Sequence, residues 1–242
     1  MYTPDNFGNS TRRGAHAVTK CIAPDSHSFH AERRYILKVN PVADVWDFLV
    51  HGGPISLVFW LLLVGSILLA AINLARDPQQ RSWMHGWNWF VRIAIGGLWW
   101  QQSLWKMPPS YGVAADGSGG LRYWMEQMAQ YSSVPLQSHL VSGVLLPHFS
   151  FFAPQIYLGE VLVAALLMLG LFNRVAAILG ALMSLNLWLG LYRSPSEWIW
   201  AYFFMIVIHI TFLILRPGLS WGADALLRSK PLGRFDWLKR LA

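Results

Sequence analysis

Apolar residues in this chain come in long runs, with the polar residues gathered between them. Five runs read as membrane-crossing helices, at 54–75, 89–105, 155–172, 175–192 and 198–215. At 1.5 Å per residue, about 20 helical residues cross the roughly 30 Å of bilayer hydrocarbon. The run at 54–75 is uncharged, whereas the run at 89–105 carries Arg92, Gln101 and Gln102. The pattern therefore predicts an all-α integral membrane protein.

Between and beside these runs lie four polar regions. Residues 1–53 form a polar tail without a helical period until a short amphipathic stretch near 42–50, which is expected at the membrane interface. Such a long polar lead is unlike the short basic start of a cleavable signal. The second and third runs are joined by a loop at 106–154, long enough to serve a function. Within it, the glycines of 117–120 predict a turn and 121–131 an amphipathic helix. The half-apolar stretch at 139–153, with Pro147 in its middle, is expected to dip into the interface as a lid. The chain closes in a basic tail at 217–242.

Composition sharpens this picture. Only 13% of the 242 residues are charged, against about 25% in soluble domains, so a water-soluble enzyme is not the expectation. The net charge is +7. Six basic residues precede residue 54 and six more lie at 216–242, so they flank the apolar block. That placement favours lipid headgroups and topology signals over nucleic acid. The loop at 106–154 holds only Lys106 and Arg122, which puts the loop outside and the C-terminal tail in the cytoplasm. Five spans then carry the N-terminal tail outside, against its own basic charge. Cys21 is the only cysteine, which excludes an internal disulfide, a Cys-x-x-Cys pair and cysteine-held clusters or zinc within this chain. Nucleotide-binding, zinc-protease and serine-hydrolase motifs are absent from the sequence.

The chemistry rests on ionisable residues inside the apolar runs, which are costly unless paired or turned toward a cavity. At 100° per residue, Arg92, Gly96, Ser103 and Lys106 fall within about 80° of one another. Glu160, Ala164, Leu171 and Arg174 share a similar stripe on the next run. Antiparallel packing brings Lys106 and Glu160 together on the loop side and leaves Arg92 and Arg174 roughly 20 Å away, toward the other surface. The first pair reads either as an ion pair that sets helix register or as a proton-handling carboxylate beside a cation, where a quinone head group or an inorganic anion sits. Arg92, Gln102 and Arg174 are candidates for contact with substrate, quinone or lipid, with Asp77 or Asp224 as the acidic neighbours of the two arginines. His209 shares a face with Tyr202 and Met205 and reads as a hydrogen-bonded core residue or as a quinone contact. Bis-histidine haem is discounted because no second histidine lies at matching depth. Ala176, Gly180 and Ser184 form a small-residue stripe for close helix packing, and most of the 14 Trp lie near the ends of the runs, as interfacial anchors do.

Four stretches carry a family resemblance: Arg92-Ile-Ala-Ile-Gly96 with Leu104-Trp105-Lys106-Met107-Pro108-Pro109; Tyr123-Trp124-Met125; Gly159-Glu160 with Leu169-Gly170-Leu171-Phe172-Asn173-Arg174; and Trp221-Gly222-Ala223-Asp224-Ala225-Leu226-Leu227. In this order, across roughly 88–230, they resemble the DoxX/DoxD family, whose DoxD branch is the membrane subunit of thiosulfate:quinone oxidoreductase. The resemblance implies a four-helix bundle over 88–216, with 54–75 as one extra N-terminal transmembrane helix, in the inner membrane of a prokaryote. It also implies quinone-linked chemistry, with thiosulfate oxidised to tetrathionate, quinone as substrate, no built-in cofactor and a partner chain for any catalysis. Glu160 and Lys106, supported by His209, are then the site. The extra helix and the long tail depart from the family pattern. They support a second expectation, that of a non-catalytic accessory subunit clamped by these segments into a larger respiratory or photosynthetic membrane complex.

Overall fold

The computed structural model describes residues 54–229 and 233–241, together with Asn40, Ala43 and Trp46. Apart from those three positions, the tail at 1–53 and its amphipathic stretch lie outside the described residues. Among the described residues every regular element is helical, and none is a strand. The α-helices are α1 (Pro54–Arg76), α2 (Trp83–Leu104), α3 (Gly120–Tyr131), α4 (Pro135–Leu140), α5 (Phe149–Leu169), α6 (Asn173–Gly190), α7 (Trp200–Leu215) and α8 (Ala223–Ser229). Short 3-10 segments at Pro78–Gln80, Pro217–Leu219 and Gly233–Arg240, and a turn of π-helix at Val141–Leu145, complete the set. Two helices, Ile55–Arg76 and Phe149–Leu169, are long and apolar enough to cross a membrane. Trp200–Leu215 is as apolar but shorter.

Two long helices begin earlier than their apolar runs. Ser82 caps α2 by accepting from the His85 N–H, so the helix starts at Trp83 and takes in Trp87 and Asn88 before the apolar run. α5 starts at Phe149, because Pro154 falls in its second turn and forgoes only one backbone bond there. Residues 149–153, expected in the lid, are thus helix. Gly170 ends α5 in the left-handed region at φ 62°, the usual glycine stop.

α2 packs most extensively on α5, and α6 on α7, with α5 also against α6. The pairs run antiparallel. On α2 and α5, Lys106 meets Glu160, while a methyl on Gly96 would press against Ala164 and Met168. On α6 and α7, Asn173 Nδ2 donates to the Phe212 carbonyl at 3.3 Å, and the rings of Trp188 and Phe203 lie 5.8 Å apart. Trp99 of α2 reaches His209 of α7 and closes the ring of four. α1 lies along α5 and is fastened by polar bonds at two levels. Trp89 Nε1 donates to Ser66 Oγ at 3.2 Å, and Asn73 Nδ2 donates to the Gly222 carbonyl at 3.0 Å.

The amphipathic stretch of the long loop does form a helix, α3. Its Leu121, Met125 and Met128 are buried against Val141, Ala153 and Leu191, so the loop extends the apolar core beyond the ends of α5 and α6. Ser133 N and Oγ donate to the Leu189 carbonyl at 2.9 and 3.1 Å, and Gln137 Nε2 donates to Asn186 Oδ1 at 2.8 Å. These bonds tie the α3–α4 segment to α6.

At the other end, residues 216–224 form a plug between α1, α2 and the α5–α6 turn. Gln80 is its clamp: its Nε2 donates to the Leu219 carbonyl at 3.0 Å, while its Oε1 and backbone carbonyl accept from Trp221 N and Nε1 at 3.1 and 2.8 Å. The Trp221 ring rests on Trp89, with centroids 5.8 Å apart.

Candidate functional site

Lys106 and Glu160 form a direct ion pair between the C-terminal end of α2 and the middle of α5. Their side chains are only 8% and 4% exposed. The helical register derived from the sequence places them as expected, since both lie on the buried faces that α2 and α5 turn to each other. The ammonium contacts one carboxylate oxygen, Oε1, and also lies 4.5 Å from the centre of the Trp105 ring, a cation–π contact. The second oxygen, Glu160 Oε2, is buried without a hydrogen-bond partner among the described residues. One turn deeper on α2, Ser103 Oγ donates to the Trp100 carbonyl at 2.7 Å, and the buried Trp100 indole N–H has no partner. A buried acceptor left unpaired costs about 1–3 kcal/mol. The pair is joined through one oxygen and leaves the second open to a donor.

His209 does not join that pair. Its ring is fully buried; Nδ1 lies 2.7 Å from the Met205 carbonyl, and Nε2 receives the Trp99 indole N–H at 3.0 Å. A carbonyl can only accept, so Nδ1 carries the hydrogen, and an indole can only donate, so Nε2 is bare. Both bonds together fix a neutral ring in one tautomer. Gly180 makes room for it, because a methyl at that position would run into the imidazole. The small-residue stripe thus serves close packing, with Ala176 and Ser184 also buried.

Arg92 occupies the opposite end of the α2–α5 seam and is 0% exposed. None of its three guanidinium nitrogens has a hydrogen-bond partner among the described residues. Gly170 and Gly222 back onto it so closely that a methyl on Gly170 would strike the guanidinium. Asp224 is the neighbouring charge. Its two oxygens accept from the backbone N–H groups of Phe172 and Asn173 at 2.7 and 2.9 Å, which caps the N-terminus of α6 from outside the helix. Burial pushes the Asp224 carboxyl up to about 6, against the opposing pull of those two N–H groups and of Arg92 and Arg228. The carboxylate is still ionised at neutral pH.

Arg174 and Gln102 belong to neither cluster. Arg174 is half-buried and donates to the Arg240 carbonyl at 3.2 Å. Gln102 is exposed, taking the Trp105 indole N–H at 3.3 Å and donating to Gln101 at 3.0 Å. Asp77 caps the 3-10 turn by accepting from Gln79 N at 2.9 Å. Among the described residues no group of three His, Cys, Asp or Glu side chains stands ready for a metal ion.

The partnership of Trp99 with His209 was not anticipated from the sequence. The helical angle alone puts Trp99 on the same side of α2 as Gly96 and Ser103, which is the signal that could have found it. Comparisons with family models, with curated proteins and with solved structures give no match.

Proposed function

We propose that this chain is a DoxX/DoxD-like membrane subunit in which Glu160 and Lys106 form a proton-handling site for a quinone. In this reading α1, α2, α5, α6 and α7 all cross the inner membrane of a prokaryote, with the basic C-terminal end in the cytoplasm and the α3–α4 loop outside. The carrying observation is the free, buried Oε2 of Glu160 beside a buried ammonium. A hydroquinone hydroxyl supplies the donor which that oxygen lacks, and the ammonium balances the carboxylate's charge until a proton arrives.

For thiosulfate as electron source, two thiosulfate ions each give up one electron and join through a new S–S bond. The quinone takes those two electrons and two protons and becomes hydroquinone. Glu160 relays protons to the ring oxygen, and Lys106 holds it ionised between turnovers. A partner chain completes the enzyme. His209, with both nitrogens engaged, positions α7 against α2 and is not a proton carrier in this scheme.

The test is thiosulfate-dependent quinone reduction by the gently purified complex, comparing wild type with Glu160→Gln. The variant keeps the side-chain shape but cannot relay a proton, so the rate per folded complex, with the folded fraction fixed by thermal unfolding, falls by about a hundredfold or more, the usual share of general acid–base catalysis. An unchanged rate overturns the site. The accessory-subunit reading competes with this one. It needs α1 as an outward clamp, and the bonds from Ser66 and Asn73 into the bundle favour α1 as an integral part of the bundle instead.

A further inference from the structure

Unpaired cations are concentrated at one end of the molecule. At the α3–α4 end, Lys106 is paired with Glu160 and Arg122 with Glu126 at 3.2 Å, and the exposed Arg193 lacks a carboxylate partner among the described residues. Lys239 of the final 3-10 segment pairs with Asp236 at 2.9 Å. At the plug end, Arg76, Arg81, Arg174, Arg228 and Arg240 have no carboxylate within ion-pair distance among the described residues. All but the half-buried Arg174 are exposed. They sit on separate elements held together at this end: the last turn of α1, the start of α2, the α5–α6 turn, α8 and the final 3-10 segment. The buried Asp224 spends both oxygens on backbone N–H groups, so it offers these arginines no direct bond.

A second feature of this end says what the arginines are for. Trp83 is 76% exposed at the start of α2, and Trp87 and Trp237 are exposed as well. Arg81 Nε donates to the Leu74 carbonyl at 3.2 Å, which holds its guanidinium over the junction of α1 and α2. Just below that junction, Leu68 and Ile72 of α1 and Phe90 of α2 turn outward. Guanidinium, indole and aliphatic surface therefore follow one another along the axis of the helices. A phospholipid presents the same order of chemistry: phosphate, glycerol backbone and acyl chain. Indoles prefer the headgroup level, and clustered guanidinium groups prefer anionic headgroups. Nucleic acid would match the charge but not the aliphatic surface that adjoins it.

We propose that the plug end is an anionic-phospholipid binding rim, with headgroup phosphates held by Arg76 and Arg81 at the α1–α2 junction and by Arg174 and Arg228 beside the α5–α6 turn. The rim recognises lipid whether or not Glu160 handles a quinone. Its failure and that of the redox reading are therefore separate results.

The experiment is native mass spectrometry of the full chain in detergent, offered equal amounts of phosphatidylglycerol and phosphatidylcholine. Wild type retains phosphatidylglycerol in preference. Each arginine removed lowers that retention by about fivefold, the factor equivalent to the approximate worth of one cation at an anionic surface. Arg76→Gln with Arg81→Gln, and Arg174→Gln with Arg228→Gln, both show the loss. Arg76→Lys with Arg81→Lys preserves retention, and Arg122→Gln at the other end changes nothing. If the glutamine variants lose helicity, a salt titration of wild type decides. Raising ionic strength from about 0.05 to about 0.5 M releases phosphatidylglycerol and leaves phosphatidylcholine in place. Equal retention of the two lipids by wild type, a matching loss in Arg122→Gln, or displacement of phosphatidylglycerol by an oligonucleotide overturns the proposal.

Discussion

Two hydrogen bonds decide what His209 does. Because Met205 offers only an acceptor and Trp99 only a donor, the ring stays neutral and its position is fixed by three helices, α2, α6 and α7. Adding one methyl at Gly180 pushes into that ring. We expect Gly180→Ala to cost about 1–3 kcal/mol, the usual range for overpacking a tight core, read as a lower unfolding temperature in detergent. Trp99→Phe loses the bond and part of the packing of the buried indole. It costs about 1 kcal/mol for the bond, plus the penalties of a bare Nε2 and of the small void left behind, and leaves the Glu160 chemistry untouched in the quinone assay. At this scale the sequence was informative wherever an angle sufficed. Lys106 and Glu160 could be paired from helical register alone, because both lie on faces their helices must bury. The environment of His209 was not legible, because its partner is a tryptophan that patterns like any other apolar residue.

Helix ends are where pattern reading and structure part. The apolar pattern predicts α2 from residue 89, but the helix begins at Trp83, since the Ser82 cap outweighs the polar His85 and Asn88 that precede the apolar run. Those two side chains are not solvated at random: both reach Ser220, at 2.9 and 3.3 Å, and so help to seat the plug. At the α5–α6 turn, Gly170 satisfies two demands, a left-handed backbone and close approach of Arg92. Gly170→Ala therefore strains both and lowers the unfolding temperature more than Gly65→Ala, which meets only the flexible end of Leu169. Asp224, capping α6 from the plug, makes the turn sensitive to pH. Its carboxyl titrates near 6 in the folded chain, above the ordinary value of about 3.9 that it recovers on unfolding. The folded state thus binds the proton more tightly than the unfolded state does. Stability from this group is fully present below about pH 4 and is lost as pH rises toward 6. Subtracting the profile of Asp224→Asn from that of wild type isolates the slope. A flat difference across that window contradicts the assignment.

Across the whole molecule, buried polarity is organised along the seam between α2 and α5, with Lys106 and Glu160 at one end and Arg92 at the other. Three of the four stretches singled out in the sequence converge on these same two places. Lys106 and Glu160 come from two of them, while Arg92, Gly170, Asn173, Gly222 and Asp224 come from three. Local motifs read singly gave the residues but not this convergence, which depends on chain segments more than 50 residues apart, such as Phe172 and Asp224. The central claim is that α2 and α5 turn their charges toward each other. A double-mutant cycle on Lys106→Gln and Glu160→Gln, read by thermal unfolding of the purified chain in detergent, tests it most directly. Breaking a buried pair from one side costs about 3–5 kcal/mol. The account therefore predicts that each single variant is strongly destabilised and that the double variant recovers part of the loss, a coupling of about 2 kcal/mol or more. Effects that simply add, within about 0.5 kcal/mol, would contradict it.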